Sequence, residues 1–313
     1  LKLYKYMNLE LGAKFLNAPM IRLSNQSCLN DPFEFLLSST SSSKVEQALR
    51  KSLGKDYDHS ELIHQFWTHG IVSLTETHDN LLMWSHYADE HRGMVIGFDI
   101  PQASPFEFFL DAGAGVSAGK GSHFHKVNYR KFRQFSGEIN ASNLDEVRLH
   151  YMLSKSDEWI YEKEHRFVIP FDEADIILLS HKSELFSRVL DDLQLPPDAL
   201  IPLEYEEKSL IDLRVHAVPK AALFKLWCLS GVCGAMFFKL VNPNAIKNIY
   251  LGRSVAPESL SDHICSNPNK AIRERFNDPE TGEVTNVFKA SLDNDRYELN
   301  FAQCYLSLLD YMN

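Results

Sequence analysis

The spacing of apolar and polar positions changes several times along this chain, and each change predicts an element. The short aromatic run Leu3-Tyr4-Lys5-Tyr6 is followed by Leu9, Gly12, Phe15 and Leu16, then by Ile21-Arg22-Leu23, a pattern of strand, short helix, strand. A serine-rich stretch, Ser38 to Ser43, breaks the pattern, and Val45 to Trp67 then carries apolar residues at helical spacing. Gly70 to Thr75 and Gly93 to Ile100 are β-type runs, the second closed by Pro101. Leu81 to His91 between them reads as helical or tightly turned. Val127-Asn128-Tyr129 suits a short strand and Leu144 to Trp159 an amphipathic helix. That helix leads into Tyr161 to Pro170, which alternates like a strand and is stopped by its proline.

Further on, the Pro196-Pro197 region reads as helical. Leu226 to Phe238, flanked by Lys225 and Lys239, is too short to span a bilayer and reads as a buried helix. Ile246 to Leu251 reads as a strand, and Tyr297 to Leu309 as a final apolar segment. The whole predicts an α+β fold, a central mixed β-sheet with surrounding helices. A single domain is expected, with its core over about residues 1–38, 70–170 and 245–313 and helical insertions at about 40–69 and 172–242.

Length and composition narrow the class of protein. A chain of 313 residues buries roughly three quarters of its unfolded surface, so stability needs no staples. The cysteines, Cys28, Cys228, Cys233, Cys265 and Cys304, are odd in number and form no CxxC pair, which argues against a disulfide framework or a structural zinc site. The opening LKLYKYMNLELG has no long apolar stretch after a basic one, which argues against a secretory signal. A cytoplasmic protein without a membrane partner is expected. A net charge of −10 with a pI near 5.7 opposes non-specific binding to polyanions, while leaving room for a local basic patch.

Several tempting motifs fail. Gly113 to Gly121 lacks the P-loop pattern, since Ala114 and Gly121 stand where Gly and Ser or Thr are required. His59, His64 and His69 recur every five residues, which rotates them off one helical face. Lys126, Arg130, Lys131 and Arg133 interleave with Tyr129, Phe132 and Phe135, a composition that suits single-stranded nucleic acid and equally a solvated basic face.

Three segments are dense in reactive side chains: Asn30 to Glu34, Met83 to Ala88 and Trp159 to Arg166. With Leu3 to Tyr6 and Ile249-Tyr250-Leu251-Gly252 they resemble, in order and approximate spacing up to about residue 255, the bacterial family called domain of unknown function 2971. That resemblance implies no reaction. The layout also resembles ADP-ribosyltransferases, especially those that modify nucleic acids, and this second resemblance implies an NAD-consuming enzyme, a toxin or phage-defence effector, acting on a nucleic-acid or protein target. Glu164 would then be the essential carboxylate, as the second Glu of a Glu-x-Glu pair, with Tyr87 and His86 beside it in the chemistry. Tyr4, Lys5, Asn30, Asp31, Trp84, Glu162 and Arg166 would contact NAD. Lys5 stands where such transferases often carry His or Arg.

The residues themselves support part of this. Breaking the nicotinamide–ribose bond generates an oxocarbenium-like cation that a carboxylate stabilises. On a strand Glu162, Glu164 and Arg166 share a face, because the side-chain period is two. The same face also suits a surface ion pair of little energetic worth. Trp84, His86 and Tyr87 suit stacking against a base, or core packing in the case of Trp84. Asn30-Asp31-Pro32 suits ligand contact, or a turn that anchors Phe33. No metal site is expected, although Asp31, Glu34, His86 and Glu164 would be the donors of a metal-dependent nuclease or hydrolase. A non-enzymatic nucleotide or protein sensor is the third alternative. All of them require the strands Leu3 to Tyr6, Ile71 to Leu74 and Glu164 to Ile169 to share one sheet.

Overall fold

The computed structural model describes residues 1–53, 58–110, 121–180, 199–203, 208–277 and 284–304. The Pro196-Pro197 region, the glycine-rich stretch up to Lys120 and the end of the last apolar segment lie outside these residues. The described strands, in chain order, are β1 (Lys2–Met7), β2 (Met20–Leu23), β3 (His69–Thr75), β4 (Met94–Asp99), β5 (His123–Lys126), β6 (Asn128–Arg130), β7 (Ser154–Ser156) and β8 (Glu164–Pro170). They continue with β9 (Ile176–Ser180), β10 (Ile201–Leu203), β11 (Lys208–Asp212), β12 (Met236–Leu240), β13 (Ile246–Leu251), β14 (Val287–Leu292) and β15 (Leu299–Gln303). The helices are α1 (Leu9–Asn17), α2 (Ser39–Leu53), α3 (His59–Phe66), α4 (Leu81–Tyr87), α5 (Leu144–Met152), α6 (Lys220–Cys233), α7 (Glu258–Cys265) and α8 (Lys270–Phe276).

Eight strands form one sheet in the order β15-β14-β13-β4-β1-β3-β8-β5. It is mixed, because β13 and β14 run parallel while β1, β3, β4 and β8 pair antiparallel. The α+β class with a central mixed sheet is therefore observed, and β1, β3 and β8 are sheet neighbours. A second, antiparallel sheet, β10-β11-β9-β12-β2, corrects the expectation of a helical insertion at 172–242. Ile176 to Leu179 is a continuous apolar run buried on both faces, and such a run carries no period that separates strand from helix.

Other boundaries moved for local reasons. The expected helix at 226–238 stops at Gly234, whose φ of 69° is left-handed, and Phe238 lies in β12. Val45 to Trp67 divides in two, α3 being opened by a capping box between Asp58 and Glu61. The expected helix at 144–159 ends at Met152, giving way to β7 and a 3-10 turn over Asp157–Glu162.

One hydrophobic core runs through both sheets. Leu3, Phe98, Phe167, Ile177, Trp227 and Phe237 all belong to it, and the Trp227 indole donates to the Trp67 carbonyl at 2.8 Å. A smaller cluster of Tyr6, Met83, Trp84, Val95 and Tyr250 seats α4 on the other face of the large sheet. The chain leaves α4 through Asp89, Glu90 and His91, all with left-handed φ of 48° to 69°, a conformation that costs roughly 1–2 kcal/mol per residue. Gly252 packs onto that turn so closely that a Cβ there would lie 2.2 Å from the His91 carbonyl oxygen.

Candidate functional site

The large sheet is incomplete between β1 and β3. These strands share a single rung, Tyr4 opposite Thr75, whereas β3 pairs with β8 over its whole length. Because backbone groups of an antiparallel strand alternate in direction, those of Ile71, Ser73 and Thr75 face the same edge. Thr75 meets Tyr4 there, and Ile71 exchanges two hydrogen bonds with Ser24. The rung between them is missing, and the Ser73 carbonyl accepts instead from the Lys5 ammonium at 3.0 Å. A cleft of about 240 Å³ opens at this gap, walled by Tyr4, Asn30, Met83 and Tyr87 and floored by charged side chains.

The floor is a buried ion cluster. Arg166, 1% exposed, sends Nε to Glu164 Oε1 and Nη2 to Glu164 Oε2, each at 2.8 Å, while Nη2 also reaches Glu34 Oε2 at 2.6 Å and Nη1 the Met152 carbonyl at 2.6 Å. Lys155 Nζ lies 2.9 Å from Glu34 Oε1, 2.6 Å from Glu162 Oε2 and 3.7 Å from Glu164 Oε2. The Tyr87 phenol donates to Glu162 Oε1 at 2.6 Å and accepts from Asn30 Nδ2 at 2.6 Å.

Electrostatics follow from this packing. Burial alone would raise the Glu164 carboxyl, but the Arg166 guanidinium and Lys155 overcome it and hold the group down at about 2. Arg166 is raised by Glu164 and Glu34 against the opposing effect of burial, and Lys155 is raised in the same way by Glu164, Glu34 and Glu162. Lys5 goes the other way, because loss of water outweighs its attraction to Glu164 and Glu162. Burial, with the neighbouring Glu162, pushes the Tyr87 phenol well above its ordinary value.

The residues singled out in the sequence divide clearly. Tyr4, Lys5, Asn30, Tyr87, Glu162, Glu164 and Arg166 converge on the cleft. Trp84 does not: it is fully buried, and its indole donates to the His78 carbonyl at 2.7 Å, so it is a core residue. His86, two positions on, is exposed and absent from the cleft wall. Asp31 is buried and its Oδ1 accepts from the Phe33 amide at 2.9 Å, as a turn residue would; it faces a neighbouring pocket. Glu162 is not on the strand. It ends the 3-10 turn, and left-handed Lys163 (φ 44°) redirects the chain before β8 begins at Glu164. Glu162 reaches the cluster through Lys155 and Tyr87 rather than by strand alternation.

Lys155 is the central residue that sequence reasoning missed, and a lone lysine between two serines carries no pattern to find it by. Its ammonium occupies the space among the three carboxylates where a metal-dependent site would need its ion. Among the described residues, no group of three or more His, Cys, Asp or Glu side chains is arranged to hold a metal. A larger cavity, about 590 Å³, lies at the opposite end of the β3–β8 ladder beside His69, His123, Asp145 and Arg148. Burial pushes His69 down to about 4. That cavity gathers none of the three reactive segments, and the cleft gathers residues from all of them, so the cleft is the candidate site.

No helix among the described residues is long and apolar enough to cross a membrane. No curated protein and no solved structure matches the chain. One family model does, described as Protein of unknown function (DUF2971), over residues 83–167, a narrower stretch than the motif order alone suggests. It runs from α4 to β8 and so carries Tyr87, Lys155, Glu162, Glu164 and Arg166, while Lys5 and Glu34 come from outside it. Over these residues the chain is similar to the DUF2971 family.

Proposed function

We propose that the cleft takes the nicotinamide–ribose end of NAD and that the protein is an ADP-ribosyltransferase-like enzyme. The observation that carries this reading is a pair of glutamates, Glu162 and Glu164, on the floor of an open gap in the sheet, with Glu164 held in its charged form. The bond between ribose C1′ and the pyridinium nitrogen breaks, and nicotinamide leaves with the bonding electrons. The cation left on the ribose is stabilised by carboxylate charge, and an acceptor forms the new bond to C1′ while losing a proton. Both carboxylates are engaged, but both oxygens of Glu164 are tied to the one buried guanidinium of Arg166, whereas Glu162 Oε1 is held by the half-buried Tyr87 phenol on the cleft wall, a bond that a ribose hydroxyl can replace. Glu162 is therefore the better candidate to face the ribose. Glu164 then fixes Arg166 and contributes field. A volume of about 240 Å³ is smaller than the roughly 300–1,000 Å³ of pockets that enclose drug-sized ligands, so only the reacting end of the dinucleotide sits inside. An NAD-consuming activity would suit a toxin or phage-defence effector.

Purified protein incubated with NAD and cell extract should release nicotinamide, and Glu162→Gln should lower the rate by about 10²–10³-fold, assayed at a temperature where the variant, in which Lys155 loses a buried charged partner, is still folded by its melting curve. Absence of nicotinamide release, or release indifferent to both Glu162→Gln and Glu164→Gln, would sink the reading. A second reading, a non-enzymatic sensor, is favoured by one feature: the three buried glutamates are matched by Lys5, Lys155 and Arg166. It predicts binding of a nucleotide in this cleft with no turnover. The metal-dependent alternative loses support, because Glu34 and Glu164 are engaged by Lys155 and Arg166, and Asp31 and His86 do not line the cleft.

A further inference from the structure

Beside the cleft, across the Glu34–Lys155 ion pair, lies a second pocket of about 260 Å³. Its wall combines features that neither the ion cluster nor the NAD reading uses. Asp31 is 3% exposed, yet its Oδ2 has no hydrogen-bond partner, a costly state for a buried carboxylate unless a donor is supplied. Arg130, Lys131 and Arg133 line the same pocket. Among the described residues no carboxylate pairs with these three cations. The Arg130 guanidinium lies against His150 at 3.3 Å, and Arg133 Nη1 is buried without a partner. Phe33 lines the pocket and is 61% exposed, with the Arg133 guanidinium 5.4 Å from its ring centroid.

We propose that this pocket binds one nucleotide of a single-stranded nucleic acid. Guanidinium groups without carboxylate partners suit a phosphate. An exposed ring suits a base face, and an orphaned carboxylate oxygen suits a donor such as a ribose hydroxyl or an exocyclic amine. These three requirements meet in a nucleotide and not in a simple anion, which Asp31 would repel. A strand is favoured over a free nucleotide because the aromatic and basic surface continues past the pocket: Phe132, next to Lys131, is 79% exposed. A duplex hides its base faces. The proposal goes beyond the NAD reading and stands without it, although a strand seated here would pass beside the cleft.

The test is fluorescence anisotropy with labelled single-stranded oligonucleotides of roughly 12 nucleotides, without NAD, between about 50 and 200 mM salt. Phe33→Ala should weaken binding about tenfold. Arg130→Gln with Arg133→Gln should make the slope of log affinity against log salt shallower by about 2 × 0.7, the single-strand value per phosphate. Lys270→Gln, on α8, should change nothing. Phe33 is exposed, so its variant should melt like the parent. The proposal is overturned if no oligonucleotide binds, or if both sets of variants bind as the parent does. It is also overturned if adenosine monophosphate competes as well per nucleotide as the strand, which would make the ligand a free nucleotide. Nicotinamide release measured separately keeps failure of this proposal distinct from failure of the NAD reading.

Discussion

Arg166 shows how much of the cleft depends on one side chain. It neutralises Glu34 and Glu164 and caps the Met152 carbonyl inside the protein. Removing one partner of a buried ion pair leaves an uncompensated charge, so Arg166→Met should destabilise the protein by about 3–5 kcal/mol, read by urea denaturation. A loss below about 1 kcal/mol would mean that water enters the cluster. The neighbours Trp84 and His86 offer the opposite contrast. Trp84→Ala empties a fully buried site and should cost about 3–5 kcal/mol. His86→Ala, on the exposed side of α4, should stay within about 0.5 kcal/mol by thermal melting. Equal effects would contradict the placement of α4.

At the scale of elements, the cleft exists because β3 lacks a full partner on one edge, and Lys5 satisfies the carbonyl left over. Lys5→Met keeps the length of the side chain but removes the donor, leaving Ser73 without its partner in the gap. A loss of about 1–3 kcal/mol is expected, together with faster amide exchange in β3 next to the cleft. Unchanged exchange would show that the gap does not depend on Lys5. The turn after α4 is held from the other side by Gly252. Because a Cβ there would collide with backbone at the His91 carbonyl, and backbone cannot swing aside as a side chain does, Gly252→Ala should lower the melting temperature and disturb the seating of Tyr87.

For the molecule as a whole, the ion cluster writes itself into the pH dependence of stability. Glu164 is depressed from 4.5 to about 2, so its contribution is fully present above about 4.5 and is lost as pH falls through about 2. Lys155 is raised, and its contribution is full below 10.5 and is lost as pH rises beyond its folded value. Lys5, depressed, acts against Lys155 on the alkaline side, so the acid limb is the cleaner observable. The melting temperature should hold down to about pH 4.5 and fall below it. Arg166→Met should flatten the part of that fall that comes from Glu164. An acid limb identical in parent and variant would exclude Glu164 as its source.

Local pattern was enough to reveal β1, β3, β8 and the helix holding Tyr87: β-type runs bounded by Gly70 and Pro170 mark β3 and β8, although both are buried on two faces, and the spacing of apolar residues marks β1 and the helix. It also marked Glu162, Glu164 and Arg166 as a group and Asn30 as a turn residue near chemistry. It was silent over the two-sided run Ile176 to Leu179 and where one residue redirects the chain, as Lys163 does after Glu162. The missing rung at Ser73, the entry of Lys155 among three glutamates and the absence of His86 from the cleft were decided only by tertiary structure. Each depends on which distant segments meet, and the energy of a buried charge is set by partners that spacing along the chain does not encode.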